Sequence, residues 1–177
     1  AAMRERLNRG WRIVATAICF TLFGVGGLLM RFVAFPLLWL SVREPLARRA
    51  WARALMRRMF GLFVGVMCRL GIMTLEVQGA DRLQRSGALV LANHPTLIDV
   101  VLLMALIRNA DCIVKGALAN NAFTRGPVAM AGFLRNSDGP GLIEEAIASV
   151  RGGSNLVIFP EGTRSTTSGA MTLQRGA

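Results

Sequence analysis

The sequence predicts an α/β fold, a mixed sheet flanked by helices, preceded by an N-terminal membrane-associated helical segment. Three observations carry that reading. Beyond residue 70, short apolar runs ending in polar clusters alternate with longer helix-like stretches, as a layered α/β sheet requires. Ahead of it, residues 13–30 carry no charge, and neither do residues 32–42. The charge is also lopsided. Residues 1–70 hold twelve arginines against two glutamates, a net +10, whereas residues 71–177 hold nine basic and eight acidic groups, a net +1. A chain of 177 residues that is 53% hydrophobic is too apolar for disorder, despite its net charge of +11. Its three cysteines (Cys19, Cys68, Cys112) cannot make a disulfide framework.

The first element is the anchor, over residues 1–42. A membrane span needs about 20 apolar residues; the uncharged run 13–30 falls just short of that, and 32–42 is too short alone. Gly24, Gly26 and Gly27 weaken a continuous helix, and Pro36 disturbs the second run. Two arrangements follow: one tilted span, or a re-entrant hairpin turning near Gly24–Gly27. Arginines on both flanks favour the hairpin, because Lys and Arg stay on the cytoplasmic side of a membrane segment. Residues 43–70 then read as a basic amphipathic helix. Trp51, Leu55, Met59, Leu62 and Val66 recur on one face, opposite Arg49, Arg53 and Arg57. Such a helix suits the surface of an anionic membrane. No aromatic platform accompanies the arginines, so nucleic acid is not the expected partner.

Residues 71–177 form the α/β part. Strands are expected at 72–78, 88–92, 111–114 and 155–159, where runs alternate or are continuously apolar. Helices are expected at 97–108, at 117–131 with a break at Gly126-Pro127, and at 140–151, which opens on a proline with Glu144 and Glu145 early.

Two polar clusters directly follow two of these strands, where open α/β sheets place their sites. The first is Asn93-His94-Pro95-Thr96-Leu97-Ile98-Asp99, with the chain's single histidine. The following proline pushes His94 toward an extended conformation. Thr96 caps the next helix in this reading, and Asp99 lies in its first turn. An imidazole there can accept a hydroxyl proton, and a carboxylate can fix its tautomer. The second cluster is Phe159-Pro160-Glu161-Gly162-Thr163-Arg164-Ser165. Gly162 permits a turn with exposed backbone N–H groups, and Arg164 can hold a phosphate through two parallel hydrogen bonds. Alone, each cluster is also what a capped helix or a polar turn would show.

Together they are specific. His94-x-x-x-x-Asp99 followed by the intact Phe-Pro-Glu-Gly-Thr-Arg block, over about residues 70–177, resembles the lysophospholipid acyltransferase family, typified by the 1-acylglycerol-3-phosphate acyltransferases. The resemblance implies fatty-acyl transfer from acyl-CoA or acyl-carrier protein to a lysophospholipid hydroxyl. His94 is then the general base, held by Asp99. Glu161, Gly162, Thr163 and Arg164 bind the acceptor, with no metal and no cofactor beyond the acyl co-substrate. Arg135, in Gly132-Phe133-Leu134-Arg135-Asn136, stands where the family carries a phosphate-binding arginine. An aminolipid acceptor, or a non-catalytic lipid-binding protein, are the alternatives. Lys115, the only lysine, follows an expected strand and so could face the site, but reads first as a surface residue. The implied setting is a bacterial inner membrane, with the active site facing the cytoplasm and anionic lipids as partners. The family domain continues past its second block through a segment with a proline. None follows Pro160 here, which implies a C-terminal truncation.

Overall fold

In a computed structural model of the chain, residues 2–93, 96, 98–121, 124–136 and 141–160 are described. A long N-terminal helix, α1 (Ala2–Leu29), passes through a π-helical turn at Met30–Ala34 into α2 (Phe35–Ser41). Together they make a helix from Met3 to Ser41 that is long and apolar enough to cross a membrane. At 1.5 Å per residue it is about 58 Å long.

The expected turn at Gly24–Gly27 does not form. The helix continues through these glycines because two of them face open space and Gly26 meets only the flexible Met59 side chain. A helical hairpin does exist, but it turns at residues 42–44. Glu44 caps the returning helix α3 (Pro45–Arg69), accepting hydrogen bonds from the backbone N–H groups of Leu46, at 2.9 Å, and Ala47. Those two bonds hold the Glu44 carboxyl below its usual range. At the far end, Trp11 Nε1–H donates to the Leu70 carbonyl at 3.0 Å, so α1 and α3 run antiparallel. Phe23 stacks on Phe60 and meets Phe63 along the seam.

The remaining elements are β1 (Leu89–Leu91), α4 (Asp99–Leu106), β2 (Ala110–Val114), α5 (Gly116–Asn120), α6 (Arg125–Ala131), β3 (Leu134–Arg135), α7 (Gly141–Arg151) and β4 (Asn155–Ile158). The sheet order is β1-β4-β2-β3. The α/β class stands. Over the described strands, the sheet expected to be mixed is parallel at every pairing, because a helix separates each strand from the next. Residues 72–78 make no ladder, contrary to expectation, whereas the two-residue β3 extends the sheet. Gly126-Pro127 lies in the first turn of α6, where proline needs no donor, rather than at a break.

The amphipathic reading of α3 also needs correction. Trp51 and Leu62, placed on its apolar face, are 56% and 65% exposed, while Arg53 is buried. The helix packs on α4 and α6 of the α/β body as well as on α1, and its Arg53 face carries the contact with the body. There Arg53 pairs with Asp111 at 2.7 Å, the side chains being 6% and 1% exposed. Arg53 also donates to the Ala131 carbonyl (2.8 Å), the Ser154 hydroxyl (2.8 Å) and Asn109 Oδ1 (3.3 Å). Asp111 accepts further bonds from Ser149 Oγ (2.5 Å) and the Cys112 N–H (2.9 Å). A charge pair buried this deeply is tolerated only when its remaining valences are met, as they are here.

Candidate active site

Strand pairing sets where the two sequence clusters begin. β1 and β4 are parallel neighbours, with Leu91 opposite Ile158. The Ala92 N–H donates to the Ile158 carbonyl at 3.1 Å. The chain therefore leaves both strands at the same edge of the sheet, about 4.8 Å apart, the spacing of paired strands. One cluster begins at Asn93 and the other at Phe159. The starts of the same strands are tied as well. Asn155 accepts from the Ala88 N–H (2.9 Å) and donates to the Arg85 (2.6 Å) and Arg108 (2.8 Å) carbonyls.

Asp99 opens α4, and its carboxylate accepts from the Thr96 N–H at 2.6 Å and the Thr96 hydroxyl at 2.7 Å. Asp99 thus reaches back to the Thr96 N–H as the acid of a capping box does, but Thr96 does not cap α4, because Ile98 occupies the cap position. The first turn of α4 is thereby tied to Thr96. His94, Glu161, Gly162, Thr163 and Arg164 lie outside the described residues. Lys115 follows β2 directly and is exposed at the same edge of the sheet, in keeping with its place after an expected strand. Arg135 ends β3, the far edge strand, and lines a cavity shared with Arg49 and Arg53.

A second cavity, of about 520 Å³, lies between the hairpin and the sheet. Leu22, Phe23, Met59, Phe63, Val100, Met104 and Val114 line it, and Gly24, Gly26 and Gly27 leave room on the α1 side. Cys112 also faces it. Burial first, and then the neighbouring Asp111, push that thiol up to about 12. A thiol so raised is not a nucleophile at neutral pH.

Comparison with known proteins agrees with this architecture. The family model described as Acyltransferase matches residues 74–177. The chain belongs to that acyltransferase family. Among solved structures, it resembles the 1-acyl-sn-glycerophosphate (LPA) acyltransferase PlsC from Thermotoga maritima, with a TM-score of 0.66 and 18% identity. The match covers 88% of this chain and 64% of the Thermotoga chain. At that identity the likeness establishes a shared fold. A search of the curated proteins found no match.

Proposed function

We propose that the protein is a membrane-bound acyltransferase, moving a fatty-acyl group from acyl-CoA or acyl-carrier protein to the free hydroxyl of a lysophospholipid, most simply 1-acylglycerol-3-phosphate. One observation supports this above the others: β1 and β4 are hydrogen-bonded neighbours, so the strands carrying the two clusters end at one edge.

In this mechanism His94 removes the proton of the acceptor hydroxyl as its oxygen attacks the thioester carbonyl. The tetrahedral intermediate collapses with cleavage of the C–S bond, and the thiolate recovers the proton from His94. Asp99, whose own position Thr96 fixes, holds the imidazole and stabilises its charged form. Glu161 through Arg164 bind the acceptor, with Arg164 on its phosphate. Lys115 stands at the same edge and supplies a second cation to that phosphate. The 520 Å³ apolar cavity receives an acyl chain.

The exposed apolar surface of the N-terminal helix supports a membrane setting. Phe20, Phe32 and Leu40 are among its exposed large side chains, and water solvates such surface poorly. The same setting brings a lipid acceptor to the site, on the cytoplasmic side where soluble donors reside. An acceptor panel tests the reading: 1-acylglycerol-3-phosphate, a neutral monoacylglycerol and a lyso-aminolipid, each with labelled acyl-CoA and acyl-carrier protein. The phosphate monoester should have the lowest KM. Equal use of the neutral acceptor would contradict the assigned phosphate contacts, and consumption of no donor would favour a non-catalytic lipid binder.

A further inference from the structure

The first turns of α1 have no role in the acyl-transfer scheme above, yet the fold sets them at the end of the molecule that carries the site. The course of α3 shows this. Its Arg53 meets Asn109, Asp111 and Ser154, at the starts of β2 and β4. Further along, Val66 lines the apolar cavity together with Val100, which follows Asp99 in the first turn of α4. α3 therefore climbs from the strand starts to the strand ends. Trp11 of the antiparallel α1 is bonded to Leu70, about one turn beyond Val66. The residues of α1 around and before Trp11 thus stand at, and just past, the edge where β1 and β4 end.

Helical phase gives the face they present. Phe23 and Gly27 of α1 line the apolar cavity. Thr16, Arg12 and Glu5 precede Phe23 by seven, eleven and eighteen residues, about two, three and five turns, and so continue its face. Arg9 lies about 40° to one side of it. These four residues line a shallow, open cavity on α1. One helix face is thus apolar alongside the sheet and cationic beyond it. Arg9 and Arg12 are exposed and make no ion pair or side-chain hydrogen bond among the described residues. Glu5 is the only carboxylate ahead of Glu44, so the face keeps a net positive charge.

The opposite side of the same turns carries Met3, Leu7, Val14 and Ile18, all exposed. In the membrane setting proposed above, that apolar stripe takes the lipid side, and the arginine face turns to water. The anion that reaches it then comes from solution, and the acyl donor is the soluble substrate of the scheme. Its shape fits the path. With its acyl chain in the apolar cavity and its thioester at the strand ends, its phosphates lie at the end of a long pantetheine arm, away from the reacting carbonyl. Arg12 is about 17 Å from Phe23 along the helix axis, beyond the site rather than within it. We propose that Arg12, with Arg9 beside it, holds the phosphate groups of the acyl donor: the phosphopantetheine phosphate common to carrier protein and CoA, or the further phosphates of CoA. The inference rests on the acyl-transfer reading.

The test compares donors with and without phosphate. The full chain in detergent would be assayed with 1-acylglycerol-3-phosphate and acyl-CoA, acyl-carrier protein or acyl-pantetheine, which lacks phosphate. The variants are Arg12→Gln, Arg12→Lys, the double change Arg9→Gln with Arg12→Gln and, as a charge control off this face, the exposed Arg4→Gln. Glutamine keeps helix propensity, so α1 should be undisturbed. Arg12→Gln should raise the KM for acyl-CoA about fivefold, the order of one solvent-exposed charge-assisted hydrogen bond, with kcat unchanged. Arg12→Lys should recover part of the loss, the double variant should lose more, and acyl-pantetheine should show no change in KM. An effect on acyl-CoA alone assigns the face to the further phosphates of CoA, whereas an effect on both phosphorylated donors assigns it to their common phosphate. A KM unchanged for every donor, raised equally for acyl-pantetheine, or raised as much by Arg4→Gln would overturn the proposal while leaving acyl transfer intact. So would a rise confined to the KM for the lysophospholipid, which would give the face to the acceptor. Failure of the wild type with all three donors would instead overturn the acyl-transfer reading beneath it.

Discussion

Removing the Asp111 carboxylate should be among the most damaging single changes outside the reacting groups. Asp111→Ala leaves the Arg53 guanidinium buried without its counter-charge, and strips acceptors from Ser149 and the Cys112 N–H. Breaking one side of a buried pair costs roughly 3–5 kcal/mol. The orphaned donors belong to the same penalty and are not added to it. For a chain of this size each kcal/mol moves Tm by roughly 2–4 °C, so a loss on the order of 10 °C is expected. Circular dichroism of the detergent-solubilised chain under heat would measure it. Replacing both partners, Arg53→Met with Asp111→Leu, should cost clearly less than the sum of the two single changes, because no unpaired charge remains. A loss below about 1 kcal/mol for Asp111→Ala, or strict additivity in the double variant, would refute the view that this pair ties the hairpin to the body.

Other consequences can be checked independently. Gly132→Ala combines a left-handed backbone with a clash against Arg49, and should cost more than the roughly 1 kcal/mol typical of a strained turn; denaturant titration would report it. Lys115→Ala should raise the KM for a phosphorylated acceptor several-fold, with little effect on a neutral one, as loss of a partly exposed charge contact does. Gly27→Leu places a side chain where α1 leaves open space beside the apolar cavity, and should shorten the longest acyl chain accepted, read by competition between donors of different length. Because its caps hold the Glu44 carboxyl below its usual range, the start of α3 should keep that support at neutral pH. It should be lost only as pH falls through the lowered value, which amide exchange at Leu46 and Ala47 would follow.

Strands of continuous apolar residues were legible at 111–114 and 155–159, because burial on both faces leaves that trace in sequence, and at 88–92 from the apolar run alone, since Leu89 and Leu91 of β1 are exposed. Alternation at 72–78 misled, since a pattern of period two does not supply a neighbour to pair with. β3 is too short, at two residues, to leave any pattern. Arg53 was misread for a different reason. A helix that packs on α1 and on the α/β body has no single polar face, and nothing local announces that one of its arginines meets Asp111, 58 positions on. The glycines at 24–27 were read as a break, although tertiary packing against α3 holds the helix through them. At the site, the placement of Asn93 and Phe159 directly after strands was readable; that β1 and β4 are neighbours was not, because strand order leaves no local pattern. That α4 starts at Asp99 with Ile98 at its cap, leaving Thr96 outside the helix, was not legible, because helix ends shift by a residue or two without a local signal.

The central claim is acyl transfer with His94 as the base. The most direct measurement is transfer of a labelled acyl group onto 1-acylglycerol-3-phosphate by the purified chain and by His94→Ala, at matched folding by circular dichroism. The account predicts labelled diacyl product from the wild type, and a rate lower by about 10²–10⁴-fold from the variant. Wild-type turnover by His94→Ala would contradict it.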